Sequence, residues 1–228
     1  MTKAIFVKKM FNDIAKKYDL LNDVLSLGTH RIWKTMVVNE AMKSSPGRVL
    51  DCATGTGDIA FLLEQKGCKD VTAIDFSEVM IECAKSRANK KNSKATFFTA
   101  DITDLPFEKN FFDSTTVSFG VRNIEDLSKG LKELSRVSKS LFILEFGQPQ
   151  NKLFATFYFN LLKLYVPILG LISGRKDAYE YLIASSERFP SAGDFIELMK
   201  KNSNHSIFKY KPIFGGMAYL YSSHGALK

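Results

Sequence analysis

One segment limits the folds open to this chain more than any other: Arg48 to Gln65, RVLDCATGTGDIAFLLEQ. An apolar run, Arg48 to Ala53, meets a turn with glycines at 55 and 57, and Ile59 to Gln65 then carries a helical period. Glycine lets a backbone turn that sharply and lets a ligand approach it closely. The alternation continues downstream. Val71 to Asp75 predicts a second strand, and Glu78 to Asn89 a helix with Met80, Ile81 and Ala84 on one face. Ala95 to Ala100 and Asp113 to Phe119 predict the third and fourth strands, Leu127 to Val137 a helix, and Leu141 to Phe146 the fifth strand. Strands alternating with helices predict an α/β fold, a parallel sheet with helices on both faces.

The flanks read differently. Residues 1–45 and 151–200 are helical in pattern, and residues 206–225 predict a β-hairpin with Gly215 and Gly216 near its turn. The expected organisation is one domain over 1–228: a helical N-terminal cap (1–45), a ligand-binding core (46–150), a helical cap insertion (151–200) and a C-terminal hairpin (201–228).

Hydrophobic residues make up 45% and charged residues 25% of the 228, which excludes a disordered chain, a collagen-like fibre and a coiled coil. The net charge of +8 suggests an anionic partner: nucleic acid, a membrane surface or an acidic substrate. It is unevenly spread, with residues 1–48 at +5, residues 49–150 at −2 and residues 151–228 at +5. Cys52, Cys68 and Cys83 lack zinc-like or CxxC spacing and read as reduced thiols of a cytosolic protein. No His, Cys or acidic set has metal-ligand spacing, so no metal is expected. Met1 to Lys17 lacks the apolar stretch of a secretory signal. Leu153 to Ser173 is long enough to span a bilayer, but Lys163 near its centre, Pro167 and Gly170 argue against that. It reads as a helix pair over the core, as an apolar wall for a lipophilic substrate, or as an interfacial helix.

The turn after the first strand carries the chemistry. Asp51 ends the strand, Gly55 and Gly57 open the backbone, and Thr56 places a hydroxyl beside the turn. Asp75 ends the second strand, where a carboxylate commonly grips a ribose diol, and Asp101 follows the third. Gly55, Gly57 and Ala60 also fit a dinucleotide pattern, but a pyrophosphate at the helix N-terminus would meet Asp58 just inside it. Carboxylates suit a cation. S-adenosylmethionine carries a sulfonium and an ammonium and no phosphate, and is the expected cofactor. A nicotinamide site and a ligand-free strand–turn–helix are the alternatives.

The flanks then add a resemblance. Tyr18 to Lys34, YDLLNDVLSLGTHRIWK, resembles the N-terminal signature of the ubiquinone/menaquinone biosynthesis C-methyltransferase family. Ser118 to Asn123, Tyr179 to Leu182 with Ser185 to Pro190, Gly215-Gly216 and His224-Gly225 agree with it, so the likeness covers nearly the whole chain. It implies the class I methyltransferase fold: a Rossmann-like, seven-stranded, mostly parallel sheet with the last strand antiparallel, and helical segments 1–45 and 151–200 capping the substrate. It implies C-methylation of a prenylated quinol. Demethylmenaquinol to menaquinol is the first reading, though the residues do not separate naphthoquinol from benzoquinol. By position, Thr56, Asp75, Asp101, Ile102 and Ser118 match the family's cofactor contacts. One departure is visible: the family's Pro-Gly-Gly turn before the fifth strand is missing, and Arg136 to Leu141 runs straight on. Altered packing there, with activity kept, is the expectation.

A ring carbon becomes nucleophilic only when an adjacent hydroxyl loses its proton, and a free phenol has a pKa of about 10. A cation beside the oxygen would stabilise the anion. Arg122 is the candidate for that role, Asn123 for orienting the ring and Tyr18 for lining the site. His30 reads as holding the cap through its hydrogen bonds, and Trp33 as core; His205 and His224 receive no role. On this reading the basic flanks face an anionic membrane leaflet where a prenylated quinol resides, with the protein cytoplasmic or peripheral at the inner face. Nucleic acid is the weaker partner, methylation of RNA or another small molecule is the alternative function, and oligomerisation stays open.

Overall fold

The computed structural model describes residues 3–14, 23, 28–149, 151, 153, 156, 160 and 176–225. Tyr18 and nearly all of the apolar stretch 153–173 lie outside them.

Seven strands form one sheet: β1 (Arg48–Cys52), β2 (Asp70–Asp75), β3 (Thr96–Thr99), β4 (Phe112–Ser118), β5 (Ser138–Phe146), β6 (Ile207–Ile213) and β7 (Ala218–His224). The order is β3-β2-β1-β4-β5-β7-β6. The first five strands pair in parallel, and β7 lies antiparallel to both β5 and β6. This is the seven-stranded, Rossmann-like α/β sheet expected. The strand order reverses between β1 and β4, and in open α/β sheets ligands bind outside the carboxyl ends at such a point.

The described helices are α1 (Lys3–Ile14), α2 (Thr29–Ala41), α3 (Asp58–Gln65), α4 (Glu78–Lys91), α5 (Leu127–Val137), α6 (Lys176–Arg188) and α7 (Ala192–Lys201). Alternation along the strands feeds two cores. Val49, Ala73, Phe142 and Leu144 face Trp33, Val37 and Val38 of α2, Ile59 and Leu63 of α3, and Ile81 and Ala84 of α4. Leu50, Ile74, Leu141 and Ile143 face Leu131 and Leu134 of α5 and Phe195 and Met199 of α7. Trp33, 2% exposed, is core as expected.

The fifth strand starts three residues earlier than its apolar run. Ser138 and Ser140 carry no strand-like side chain, but their backbones pair with Phe112 and Ser114 of β4. Helix α5 therefore passes into β5 with no intervening loop, since Val137 ends one and Ser138 begins the other. The junction is closed from outside. The Asn110 N–H donates to Arg136 O at 2.8 Å, and the Ser138 hydroxyl donates to Leu134 O at 2.8 Å. Buried His205 bonds Ser138 O through Nε2 at 2.9 Å and Ser223 Oγ through Nδ1 at 2.8 Å. These contacts hold the junction at the place where the family's Pro-Gly-Gly turn was expected.

Candidate active site

The carboxyl ends of β1, β2 and β4 open into a cavity of about 410 Å³. Among the described residues, its walls come from five places in the chain. Ala53 and Gly55 follow β1; Asp75, Phe76 and Ser77 end β2 and lead to α4; Asp101, Ile102 and Thr103 follow β3; Ser118 to Gly120 and Asn123 to Asp126 follow β4; Val7 and Lys8 come from α1.

The turn after β1 holds three left-handed residues, Ala53 (φ 52), Gly55 (φ 56) and Gly57 (φ 92). At Gly57 a Cβ would stand 3.0 Å from the Phe61 ring and 3.1 Å from that of Phe97, so both conformation and space demand glycine. Gly120, after β4, meets the same turn from the other side, since a Cβ there would come within 2.5 Å of the Ala53 Cβ. That close approach joins the β1 turn to the β4 loop at the point where the strand order reverses.

Asp75 ties the turn to β2. Its Oδ2 accepts from the Gly55 N–H at 2.8 Å and its Oδ1 from the Ser77 N–H at 2.9 Å. Burial raises its pKa, and those N–H donors pull the other way. Ser77 caps α4, accepting from the Met80 N–H at 3.1 Å, and its hydroxyl donates to Asn12 of α1 at 2.5 Å. Helix α1 is thereby fixed across the cavity, with Lys8 bonded to Glu78 at 3.2 Å. Asp101 closes its own loop by accepting from the N–H and hydroxyl of Thr103.

Asp51 lies beneath the turn, 1% exposed, and accepts from the Thr116 hydroxyl at 2.9 Å. Burial pushes its pKa up to about 7, against the opposing effects of Thr54, Thr116 and Lys34. Thr56 faces away from the cavity: its hydroxyl and carbonyl both accept from Arg87 of α4 at 2.6 and 2.8 Å. Asp58 is not the free charge that its place in the sequence suggests. Its carboxylate is bound by Lys34 at 2.9 Å and Arg87 at 2.7 Å, outside the cavity walls, so it contributes no free negative charge to a ligand. Burial alone would raise its pKa, but Lys34 and Arg87 hold it well below the usual carboxylate range. Among the described residues, the acids that line the cavity are Asp75, Asp101, Glu125 and Asp126.

On the β4 side, Asn123 lines the cavity and Arg122 stands behind it. The Arg122 guanidinium pairs with fully buried Glu145 of β5, and also donates to Phe119 O at 3.1 Å. Asn123 accepts from the Tyr181 hydroxyl of α6 at 3.1 Å. Of the residues expected from sequence, Gly55, Asp75, Asp101, Ile102, Ser118 and Asn123 share the cavity, while Asp51, Thr56, Gly57 and Arg122 build it from behind. His30 is buried beside Asp23, 3.9 Å away. Glu145, Arg87 and Lys34 were missed. Glu145 had a signal, as a lone acid in the apolar run LFILEF; Arg87 and Lys34 had none that helical periodicity could carry.

The chain matches the ubiE/COQ5 methyltransferase family over residues 1–228. The chain belongs to that family. It is 39% identical over 220 residues to the ubiquinone/menaquinone biosynthesis C-methyltransferase UbiE of Bdellovibrio bacteriovorus, covering 94% of each chain. The protein of the same name from Rickettsia felis is 38% identical over 233 residues, 96% of this chain and 92% of that one. In fold, a Thermotoga maritima S-adenosylmethionine-dependent methyltransferase described as a possible histamine N-methyltransferase superposes with a TM-score of 0.68 at 16% identity, covering 96% of this chain and 99% of that one.

The protein is thus an S-adenosylmethionine-dependent methyltransferase, and its residues fit that cofactor. The cavity offers carboxylates and backbone groups suited to a ribose and a cation. The buried Ser118 hydroxyl on its wall has no hydrogen-bond partner among the described residues, so a polar ligand atom would satisfy it. Among the described residues no group of His, Cys, Asp and Glu could hold a metal ion. Among them, too, no helix is long and apolar enough to cross a membrane.

Proposed function

We propose that the protein C-methylates the ring of a prenylated quinol, a reading supported by its relatives, which are named ubiquinone/menaquinone biosynthesis C-methyltransferases. The observation that carries this is the sharing of one cavity by Gly55 and Asp75 on one wall and Phe119 and Asn123 on the other. A cofactor held by the first pair and a ring held by the second would meet in one cavity.

S-adenosylmethionine, when bound, supplies an electrophilic methyl group on a sulfonium. Asp75 and Gly55 would hold it at the end of β2, with Asp101, Ile102 and Ser118 around it. The protein's own task is then to position a ring carbon and favour loss of the neighbouring hydroxyl proton. Asn123, braced by Tyr181, is suited to orient the ring oxygen. Arg122 remains the candidate cation for the oxyanion, acting from behind the cavity wall with Glu145 offsetting much of its charge. Tyr18 belongs to the same proposal as a lining residue from the N-terminal segment. Residues 1–45 and 151–200 are read as the substrate cap over the core 46–150, within a single domain.

The naphthoquinol, demethylmenaquinol, is the first substrate to test and the benzoquinol the second. With labelled S-adenosylmethionine, methyl incorporation into either reduced quinol and none into bulk RNA is expected. Incorporation into RNA alone overturns the proposal. The flanks, at +5 each, suit a cytoplasmic protein that docks on the anionic inner leaflet. Vesicle binding should rise with anionic lipid content and fall with salt; indifference to both removes the membrane reading.

A further inference from the structure

The Lys34–Asp58–Arg87 cluster lies outside the cavity yet bonds directly to the turn that shapes it. That turn carries conformational cost. Ala53 sits at φ 52, where an L-residue is disfavoured, and such backbone persists only when its surroundings over-determine it. Backbone bonds secure part of it: the Thr54 N–H to Ile74 O, and the Gly57 N–H to Thr54 O, each at 3.0 Å. Asp75 secures Gly55. Thr56 and Asp58, on either side of Gly57, are secured by side chains from two other helices.

Arg87 of α4 reaches Thr56 O and Oγ1 with one nitrogen and Asp58 Oδ1 with another. Its guanidinium also lies over the Phe61 ring, 5.4 Å from the centroid, and Phe61 is the ring packed against Gly57. Lys34 of α2 takes the other Asp58 oxygen at 2.9 Å. A planar fork meets three groups at fixed directions, which a lysine in place of Arg87 cannot do. Gly57 caps α3 without a side chain, so this ion network anchors the helix start alongside the Gly57 N–H to Thr54 O and Phe61 N–H to Gly57 O bonds.

We propose that Arg87 and Lys34, bridged by Asp58, are positioning residues that hold the turn Ala53–Asp58 in its cofactor-binding shape, so that affinity for S-adenosylmethionine depends on side chains that do not line its cavity. Acting through the backbone, they bear first on binding of the cofactor, and on the ring-binding wall only by way of the Ala53–Gly120 approach. The inference rests on the cofactor alone and not on which quinol is methylated.

The test is calorimetric titration of S-adenosylmethionine into the full chain and its Arg87→Met, Arg87→Lys and Lys34→Met variants, with amide exchange of residues 53–58 followed in parallel. Arg87→Met should weaken binding at least tenfold and speed exchange at Gly55 to Gly57, while exchange in β4 and β5 stays at its wild-type rate. Arg87→Lys should recover only part of the affinity. At saturating cofactor kcat should stay within about twofold, so the loss appears in KM. An Arg87→Met chain that folds and binds within twofold of wild type overturns the proposal. So does a loss of affinity matched by equally faster exchange throughout the sheet, which marks a general loss of stability. If Arg87→Met does not fold, Lys34→Met decides alone: wild-type affinity overturns the proposal, and weakened binding with exchange changed only at the turn supports it.

Discussion

Glu145 receives Arg122 twice, from its backbone N–H at 3.2 Å and from its guanidinium, with the carboxylate fully buried. The same carboxylate accepts from the Phe146 N–H at 2.9 Å. Removing one partner of a buried ion pair strands the other charge, which costs roughly 3–5 kcal/mol. Arg122→Ala should therefore lower turnover and also lower the unfolding free energy. The double change Arg122→Met with Glu145→Gln leaves no stranded charge. It is expected to recover much of the stability without recovering turnover, with cofactor affinity near wild type throughout. Denaturant unfolding beside turnover reads the two effects separately, and a double variant with normal turnover removes Arg122 from the reaction.

Asp51 connects pH to cofactor affinity. Its pKa of about 7, raised by burial, means the proton leaves near neutrality. A bound sulfonium favours the ionised form through a low-dielectric interior, so binding and deprotonation reinforce one another. Affinity for S-adenosylmethionine should rise several-fold from pH 6 to pH 8, and less for S-adenosylhomocysteine, which lacks the sulfonium charge. The ligand-free protein should respond oppositely. Between about 4 and 7 the folded state holds a proton that the unfolded state releases, so stability falls as pH climbs through that window. Asp51→Asn should flatten both slopes. Titration at pH 6, 7 and 8 is the measurement, and a flat affinity for the sulfonium cofactor would exclude Asp51 from the linkage.

What could be read in the sequence was local. The apolar run into Gly55 and Gly57 announces a strand, a turn and a helix within eighteen residues. Asp75, Asp101 and Ser118 end or follow strands, and the parallel topology alone brings such positions to one edge. Side-chain direction was not legible. Thr56, whose hydroxyl was expected only beside the turn, accepts from Arg87, a residue 31 positions away that only packing brings near. Asp58 looked like a bare charge because Lys34 lies 24 positions before it, on a different helix. The start of β5 was missed because Ser138 and Ser140 join the sheet by backbone pairing, which side-chain pattern does not report.

His30 sets an acid limit on the α2 region. Burial, reinforced by Lys34, lowers its pKa to about 4. Above about pH 6.5 folded and unfolded chains are both neutral there, and its contribution is intact. As pH falls from 6.5 toward 4 the unfolded chain takes a proton that the folded chain refuses, and stability drains by roughly 2–3 kcal/mol at most. His30→Gln should shallow the loss between pH 7 and pH 4.5, as read from urea midpoints. A variant with the wild-type acid slope assigns that slope to other groups.

His205 tests the loopless junction between α5 and β5. Its Nε2–H donates to Ser138 O while Nδ1 accepts from the Ser223 hydroxyl, and burial lowers its pKa, favouring this neutral form. Ser138 and Ser223 are themselves fully buried, so His205→Ala leaves a carbonyl and a hydroxyl unsatisfied at 0% exposure. The cost should be about 2–3 kcal/mol, or a drop in Tm of roughly 5–10 °C for a chain of this size. The junction lies at the amino end of β5, whereas the cavity lies at the carboxyl ends of the parallel strands. Affinity for S-adenosylmethionine, titrated well below the lowered Tm, should therefore stay within twofold of wild type. Weakened cofactor binding at that temperature would mean that the junction reaches the cavity through β5, and that the missing turn bears on function as well as packing.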